Sequence, residues 1–194
     1  MRIRNIALGM MVAMLFVACG GGDYSPKPQA YLRIDMPEHV YAVADTLNLP
    51  FLFEKDKLAD VILKKEQRSE LWLDLCYPQW GGTMFLTYKR LRNADDLRGQ
   101  TDTSTRLMEQ HYQFASGIDE HAFESDDHSV HALVWHLKGR NVASTYQFYA
   151  TDSLHHFLRG ALFLNQTPNN DSLAPVLEYI QADIDHLIET LRWR

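Results

Sequence analysis

Apolar and polar residues alternate with a period of two along much of the chain, which predicts a series of half-buried strands. The segment 71–77 places three leucines and a tyrosine on one face. A turn-rich connection at 78–82 leads into a similar segment at 83–89, so the two are predicted to form a hairpin. Further strands are predicted at 30–36, 51–53, 60–65, 121–124, 130–138, 142–150 and 154–164.

Two segments have the apolar spacing of a helix instead. Asn93, followed closely by two acids, is a typical N-cap, and apolar residues recur at helical spacing from Leu97 to Ala115. Near the C-terminus, residues 169–172 end a loop and cap a second helix, with Pro175 in its first turn. An apolar stripe marks one face of this helix: Leu173, Val176, Leu177, Ile180, Ile184, Leu187, Ile188 and Leu191.

The order of these elements predicts the fold class. Consecutive hairpins followed by one long helix do not fit a doubly wound parallel sheet, which needs a crossover between its strands. We therefore predict an α+β fold, an antiparallel β-sheet built from consecutive hairpins with packed helices, including a C-terminal amphipathic helix. The 46% hydrophobic and 11% aromatic content is enough for a compact core.

The N-terminus has the layout of a bacterial lipoprotein signal. Arg2 and Arg4 precede a short apolar run at 11–18, and Cys19 follows it directly, with three glycines at 20–22. The apolar run is too short to cross a bilayer, which takes about 20 residues. We therefore expect Cys19 to be the lipidated first residue of the mature protein. An uncleaved membrane helix or a plain secretory signal is the alternative.

Three regions follow from this signal. Residues 1–18 are predicted to be the signal peptide, and residues 19–29 the lipidated cysteine with a flexible Gly/Pro tether. The remaining residues, 30–194, are predicted to form one α+β domain, because no second linker or internal repeat is visible.

Charge and cysteine usage narrow the classes of partner. The net charge is −6 with a pI near 5.8, which argues against nucleic-acid binding and against electrostatic adhesion to anionic lipid. The membrane would then be reached only through the lipid. Cys19 and Cys76 are the two cysteines, so a lipidated Cys19 leaves no intramolecular disulfide.

No motif for catalysis, metal binding or a cofactor is visible. Among the nine histidines, His131 and His136 are five apart on a predicted strand and so point to opposite faces. No HExxH and no paired CxxC gives a metal-ligand spacing, so no metal site and no cofactor are expected. Cys76 is mid-strand, where an inert thiol is the commoner finding. We therefore predict no catalytic residue and no enzyme.

Three short Asp-Thr/Ser-Leu motifs are candidate O-glycosylation sites, with acceptors at Thr46, Ser153 and Ser172. They resemble the acceptor motif of exported Bacteroidota proteins. The alternative is that Asp-Ser and Asp-Thr are ordinary turn and cap dipeptides.

Two segments resemble the gliding-motility lipoprotein GldD family. Residues 24–41 contain a Pro-Lys-Pro, Tyr, Arg-Ile and Pro-Glu arrangement that is similar to the opening of that family's domain. Residues 146–165 are similar to its hairpin before the last helix. Ala30 departs from the family by replacing an expected glycine.

The resemblance implies a Bacteroidota cell-envelope lipoprotein needed for gliding and type IX protein secretion, with no established catalytic residues. Asp23 is the one acid just after Cys19, whereas surface-displayed lipoproteins of this phylum tend to carry several. Gly20 also replaces the aspartate that retains lipoproteins in the inner membrane. We therefore expect an outer-membrane anchor with the domain facing the periplasm.

The predicted function is a non-enzymatic assembly or stabilising component of the gliding and type IX secretion apparatus. Its expected partners are other envelope lipoproteins or secretion and motility proteins. A hypothetical docking surface comprises Tyr31, Arg33, Glu38 and His39. Arg159, in an apolar strand, is expected to need an acidic or carbonyl partner.

The alternative function is a periplasmic small-ligand or glycan-binding lipoprotein, with a pocket lined by Trp72, Trp80, Tyr146, Phe148 and Tyr149. An enzyme would need a polar cleft that gathers His, Asp or Cys76.

Overall fold

A seven-stranded antiparallel sheet forms the centre of the computed structural model, which describes residues 34–45, 48–67 and 69–194. The strands are ordered β4-β5-β6-β10-β9-β8-β7 across the sheet. Their bounds are β4 Asp60–Gln67, β5 Glu70–Tyr77, β6 Gly82–Arg90, β7 Gly117–Ser125, β8 Val130–Lys138, β9 Tyr146–Thr151 and β10 His156–Leu164.

Hairpins connect most neighbouring strands, as the alternating pattern predicts. Strands β5 and β6 pair across the turn at 78–81, and β9 pairs with β10 across 152–155. Strands β8 and β9 also pair, across the connection at 139–145, so the predicted strand at 142–150 begins later than expected. The α+β prediction is therefore confirmed.

The inner face of the sheet is covered by the C-terminal helix α2 (Asn170–Thr190). The predicted apolar stripe lies on the buried side of this helix, where Ile180, Ile184 and Leu187 are fully enclosed. These side chains join Leu73, Leu75 and other inner-face residues in one hydrophobic core. The amphipathic helix is therefore confirmed, and the sheet–helix interface holds the core.

The start of helix α2 differs from the prediction in one respect. Asn169 occupies the N-cap position, so Pro175 falls in the second turn rather than the first. At that position proline cannot donate to the carbonyl of Asp171. Asp171 is exposed, so this carbonyl is near solvent.

Helix α1 (Ala94–Glu109) covers part of the outer face of the sheet. Its N-cap is the predicted one, because the Asn93 side chain accepts a hydrogen bond from the backbone N–H of Asp96 at 2.8 Å. Met108 from α1 packs with Trp135, Leu137 and Val142 in a second, smaller cluster. The helix ends at Glu109 and a 3₁₀ turn follows at Tyr112–Phe114, so the predicted extension to Ala115 is wrong.

The segment before residue 60 crosses the C-terminal helix. Three short strands occur here: β1 Tyr41–Val43, β2 Phe51–Leu52 and β3 Glu54–Asp56. β1 pairs with β3, and β2 pairs with β11 (Arg192–Trp193) at the end of the chain. Residues 34–36 are not in a strand, so the predicted strand at 30–36 is wrong for its described part. Pro37, which has no N–H for a strand ladder, lies between these residues and β1.

Gly160 shows how tightly the inner face is packed. A Cβ atom at this position of β10 would lie 2.2 Å from Cε1 of Phe148 on the neighbouring strand. Phe148 is fully buried, so its ring has no free space into which to move. The absence of a side chain at 160 therefore lets this ring lie directly over the strand.

Candidate functional site

A histidine and two buried aspartates meet where the N-terminal segment crosses helix α2. His39 precedes β1, Asp56 ends β3 and Asp183 lies on the buried side of α2. The Nδ1 atom of His39 is 2.6 Å from Oδ1 of Asp183 and 3.7 Å from Oδ2 of Asp56. Both aspartate side chains are 1% exposed, whereas the His39 side chain is 28% exposed. We call these three residues the His39 cluster.

Asp56 is held in place by three hydrogen bonds. Its Oδ1 accepts from the backbone N–H of Leu58 at 2.7 Å. Its Oδ2 accepts from the backbone N–H of Val40 at 3.0 Å and from the Tyr179 hydroxyl at 3.1 Å. The local chain direction explains this arrangement, because β1 pairs with β3 in a register that places Tyr41 opposite Asp56.

Asp183 has a different environment. Neither of its carboxylate oxygens has a hydrogen-bond partner among the described residues, and the same holds for Nδ1 of His39 and the hydroxyl of Tyr77. Burial raises the pKa of Asp183, the charge of His39 opposes this effect, and the charge of Asp56 adds to it. A buried carboxyl group without a hydrogen bond is unusual in a folded protein.

Aromatic rings surround the cluster. The His39 ring stacks on Tyr179 with centroids 3.9 Å apart, and Trp80 packs against Tyr179 at 4.8 Å. Burial and the charge of Asp183 raise the pKa of Tyr77 and also raise that of Tyr41, the latter to about 12. The tyrosines therefore keep their hydroxyl protons at physiological pH and can donate them in hydrogen bonds.

A second stacked pair extends this contact between the N-terminal segment and α2. The ring of Tyr41 stacks on His186 with centroids 3.6 Å apart. His186 in turn pairs with Glu54, with 2.8 Å between Nε2 and Oε2. The N-terminal segment is thus held to the helix by two histidine–carboxylate contacts, of which only the His39 cluster contains two buried acids.

The outer face of the sheet has a separate feature. Ile62, Trp72 and Phe85, on β4, β5 and β6, are 42%, 44% and 45% exposed. Ile62 and Phe85 both lie opposite Asp74 in the strand register. Helix α1 contacts β9 and β10 instead, so it leaves this part of the face open. We call these three residues the outer-face patch.

A groove lies between the β7–β8 hairpin and α2. It has a volume of about 400 Å³ and is lined in part by His121, His136, Tyr146, Asp185 and Glu189. The Tyr146 hydroxyl donates to Asp185, whose pKa is raised mainly by burial. The rest of the lining includes apolar side chains, and the groove is open to solvent.

The chain matches the model of a known protein family over most of its length. The family model described as gliding motility lipoprotein GldD matches residues 21–193, which is most of the chain. The chain belongs to this family. The resemblance seen in residues 24–41 and 146–165 is therefore confirmed. A comparison with curated proteins gives no match.

Membership of the GldD family makes this chain a gliding-motility lipoprotein. Among the described residues, none of the helices is long and apolar enough to cross a membrane. Cys19, the predicted lipid attachment site, lies outside the described residues, as do Tyr31, Arg33 and Thr46. The lipid attachment thus stays a prediction that agrees with the family.

Two of the hypothetical docking residues can be placed. Glu38 is exposed, and His39 is turned toward Asp183 and Tyr179 with its Nδ1 atom buried. The docking surface stays a prediction, and the part of His39 that a partner could touch is the exposed remainder of its ring.

The two described glycosylation candidates have different environments. Ser153 is exposed in the β9–β10 turn with a φ of +67°. Ser172 is in the first turn of α2, and its hydroxyl accepts from the Asn169 side chain at 2.7 Å. Ser153 is the more accessible hydroxyl, and modification of either residue stays a prediction.

The aromatic residues proposed to line a ligand pocket do not meet. Phe148 is enclosed in the inner-face core, whereas Trp72 is exposed on the outer face and Tyr149 packs against Phe157 beneath α1. Arg159 has the expected polar partner, because its guanidinium donates to Oε1 of Gln147 at 2.8 Å. Burial lowers the Arg159 pKa. These positions do not favour the small-ligand alternative.

Motif spacing could not have revealed the His39 cluster. Asp56 and Asp183 were not singled out, and they are separated by more than 120 positions, so a search for local ligand spacing cannot join them. One signal was present, because Asp183 follows Ile180 by three positions within the apolar stripe of α2. An acid at that position is placed toward the core. The prediction that His131 and His136 point to opposite faces of a strand is confirmed. His136 faces α2, and His131 lies on the opposite face of β8.

Proposed function

We propose that this GldD-family lipoprotein is a non-enzymatic assembly or stabilising component of the gliding-motility and type IX secretion apparatus. The lipid on Cys19 would hold the domain at the outer membrane, facing the periplasm. Its partners would be other envelope lipoproteins or secretion and motility proteins, with no contact to nucleic acid.

The observation that carries the assembly role is the outer-face patch. Ile62 on β4 and Phe85 on β6 expose large apolar side chains on either side of β5, on a sheet face that helix α1 leaves open. Asp74 lies between them in the strand register and forms an ion pair with Lys64, with 3.4 Å between Nζ and Oδ2. Large exposed apolar side chains that lie close together on one face are typical of interaction surfaces.

Trp72 is held in position within this patch. Its indole N–H donates to Glu70 at 2.8 Å, and the Lys65 amino group lies 4.2 Å from its ring centroid. A pre-positioned aromatic ring loses little conformational entropy on binding, which is the property of residues that dominate interface energies.

The experiment uses one double variant, Ile62→Thr with Phe85→Thr. Threonine is β-branched and polar, so it suits a strand but removes the exposed apolar side chains on both sides of Asp74. The lipidated full-length protein is cross-linked gently in native membranes, purified in detergent and its partners identified by mass spectrometry. We expect motility and secretion proteins to co-purify with the wild type and to fall at least tenfold with the double variant.

Leu154→Thr provides the matched control. Leu154 is the most exposed of the large apolar residues described and lies in the β9–β10 turn, away from the patch. Its substitution should leave co-purification unchanged. Recovery of the wild-type protein alone would contradict the assembly role. Equal co-purification by the double variant would assign the contact to another surface.

A further inference from the structure

We infer that the His39 cluster is a binding site for one divalent transition-metal cation, with Zn²⁺ the best fit. The potential ligand atoms of His39, Asp56 and Asp183 all lie within 4.8 Å of one another. This site lies on the helix side of the sheet and uses none of the outer-face patch, so it is independent of the proposed assembly role.

The buried atoms without partners are the first argument. Asp183 is 1% exposed, yet both of its oxygens have no hydrogen-bond partner among the residues described. The Nδ1 atom of His39 is buried in the same way. A buried carboxylate that makes no hydrogen bond destabilises a protein unless a donor or a cation compensates it. These unpaired atoms belong to two different elements and converge on one point.

The direction of the contact is the second argument. Nδ1 of His39 approaches Oδ1 of Asp183 to 2.6 Å, but the two atoms do not form a hydrogen bond of normal angle. Two ligands of one metal ion point at the ion and not at each other. Ligands about 2.0–2.2 Å from a tetrahedral zinc ion are roughly 3.3–3.6 Å apart, so binding opens this pair by roughly 0.7–1.0 Å. The exposed side of the His39 ring permits that movement.

Charge balance is the third argument. Two ionised aspartates beside a neutral imidazole carry a charge of about −2 within a few ångströms. A protonated imidazole removes only half of this charge, whereas a divalent cation removes all of it. Metal binding therefore offers the cluster a state in which both carboxylates are ionised and compensated.

The donor types select the class of metal. One imidazole nitrogen with carboxylate oxygens suits Zn²⁺, Mn²⁺ or Fe²⁺, whereas Ca²⁺ and Mg²⁺ prefer oxygen ligands alone. Copper(I) prefers thiolates and thioethers, and Cys76 is not a member of the cluster. Asp56 already has the outer hydrogen bonds, from Leu58, Val40 and Tyr179, that orient ligating carboxylates in metal sites.

The role of such an ion would be structural. It would join the segment around His39, which follows the tether, to Asp183 on the last helix. The binding free energy would then add to the stability of the folded domain, since the unfolded chain does not bring these residues together.

The test uses full-length protein in detergent, stripped with a chelator and titrated with Zn²⁺ by calorimetry and by thermal unfolding. We expect one high-affinity equivalent per chain and a rise in the unfolding temperature that increases with Zn²⁺ concentration. Asp183→Asn should weaken the affinity for Zn²⁺ by about tenfold to a hundredfold. A structure of the zinc-bound protein should show His39 and Asp183 both in contact with the ion.

Asp185→Asn is the matched control, because Asp185 is a second aspartate on the same helix, hydrogen-bonded to Tyr146 and outside the cluster. It should bind Zn²⁺ as the wild type does. His39→Gln, at a partly exposed position, provides a second variant if Asp183→Asn does not fold, and it too should lose at least tenfold in affinity. Equal zinc binding by wild type and His39→Gln, or binding of Mg²⁺ in preference to Zn²⁺, would overturn the proposal.

Discussion

At the residue scale, Asp183 occupies a position that an aspartate ordinarily avoids. It is nearly fully buried between the sheet and the N-terminal segment, and its pKa is raised by burial and by the charge of Asp56, against the opposing charge of His39. Such a residue affects stability through its protonation state, because its proton affinity differs between the folded and unfolded protein.

We predict that the metal-free protein becomes less stable as the pH rises from about 4 toward neutrality, and that Asp183→Asn weakens this dependence. The pKa of Asp183 is higher in the folded state than the value of about 3.9 in the unfolded chain. Between the two values the folded state binds more protons, so the free energy of unfolding decreases with pH, by about 1.4 kcal/mol for each pH unit between them. Urea unfolding in chelator at several pH values measures the slope.

Asp185→Asn separates the contributions of Asp183 and Asp185 to the pH dependence of stability, since burial also raises the pKa of Asp185. Each single variant should remove part of the slope, and the double variant should remove more than either. An unchanged slope in Asp183→Asn would show that its carboxyl group titrates alike in the folded and unfolded states.

At the element scale, short-range sequence signals predicted the hairpins and both helices well. The turn residues at 78–82 and 151–153 determine which strands are neighbours, and both signals are local. Helix α1 tolerates the Thr/Ser run at 101–105, because the hydroxyls of Thr101 and Thr103 donate back to carbonyls three and four residues earlier, at 2.9 Å and 2.7 Å.

Contacts between distant elements could not be predicted in the same way. The short strand β1 exists because it pairs with β3, and β11 exists because it pairs with β2 from the opposite part of the chain. The period-two pattern at 30–36 indicated a strand, but residues 34–36 do not pair. The His39 cluster has the same origin, since long-range pairing brings His39 beside Asp56 and helix packing brings Asp183 to both.

We predict that Asp152→Ala destabilises the domain by about 1–3 kcal/mol at neutral pH. Oδ1 of Asp152 accepts from three backbone N–H groups in the β9–β10 turn, those of Leu154, His155 and His156, at 2.8–2.9 Å. Burial raises the Asp152 pKa, but these hydrogen bonds outweigh it and the net pKa is lowered. Urea unfolding measures the loss, and Asp152→Asn, which keeps an acceptor without the charge, should lose less.

The pH dependence of the destabilisation by Asp152→Ala tests whether the charge of Asp152 causes it. Because the folded-state pKa of Asp152 is lowered, its stabilising contribution is complete above the unfolded value of about 3.9 and is lost as the pH falls through the folded value. The difference between wild type and Asp152→Ala should therefore shrink at strongly acidic pH. A constant difference across the range would assign the loss to backbone strain in the turn.

At the scale of the whole molecule, the two sides of the sheet have different roles. The inner side holds helix α2, the main core and the His39 cluster, so it accounts for the stability of the domain. The outer side is only partly covered by α1 and leaves the outer-face patch open for the proposed partners. A domain with its own core and one open face can contribute to an assembly without acting on a substrate.

Such a role depends on where the domain is held, and the last prediction concerns Cys19. We expect Cys19→Ser to move the protein from the membrane fraction to the soluble fraction, because the substitution removes the predicted lipid attachment site and an acidic chain is not attracted to anionic lipid. Fractionation of cells with an immunoblot of pellet and supernatant measures the distribution. Cys76→Ser, which changes the half-buried cysteine of β5, is the matched control and should stay in the pellet. Tight attachment of Cys19→Ser would mean that something other than lipid holds this protein to the membrane.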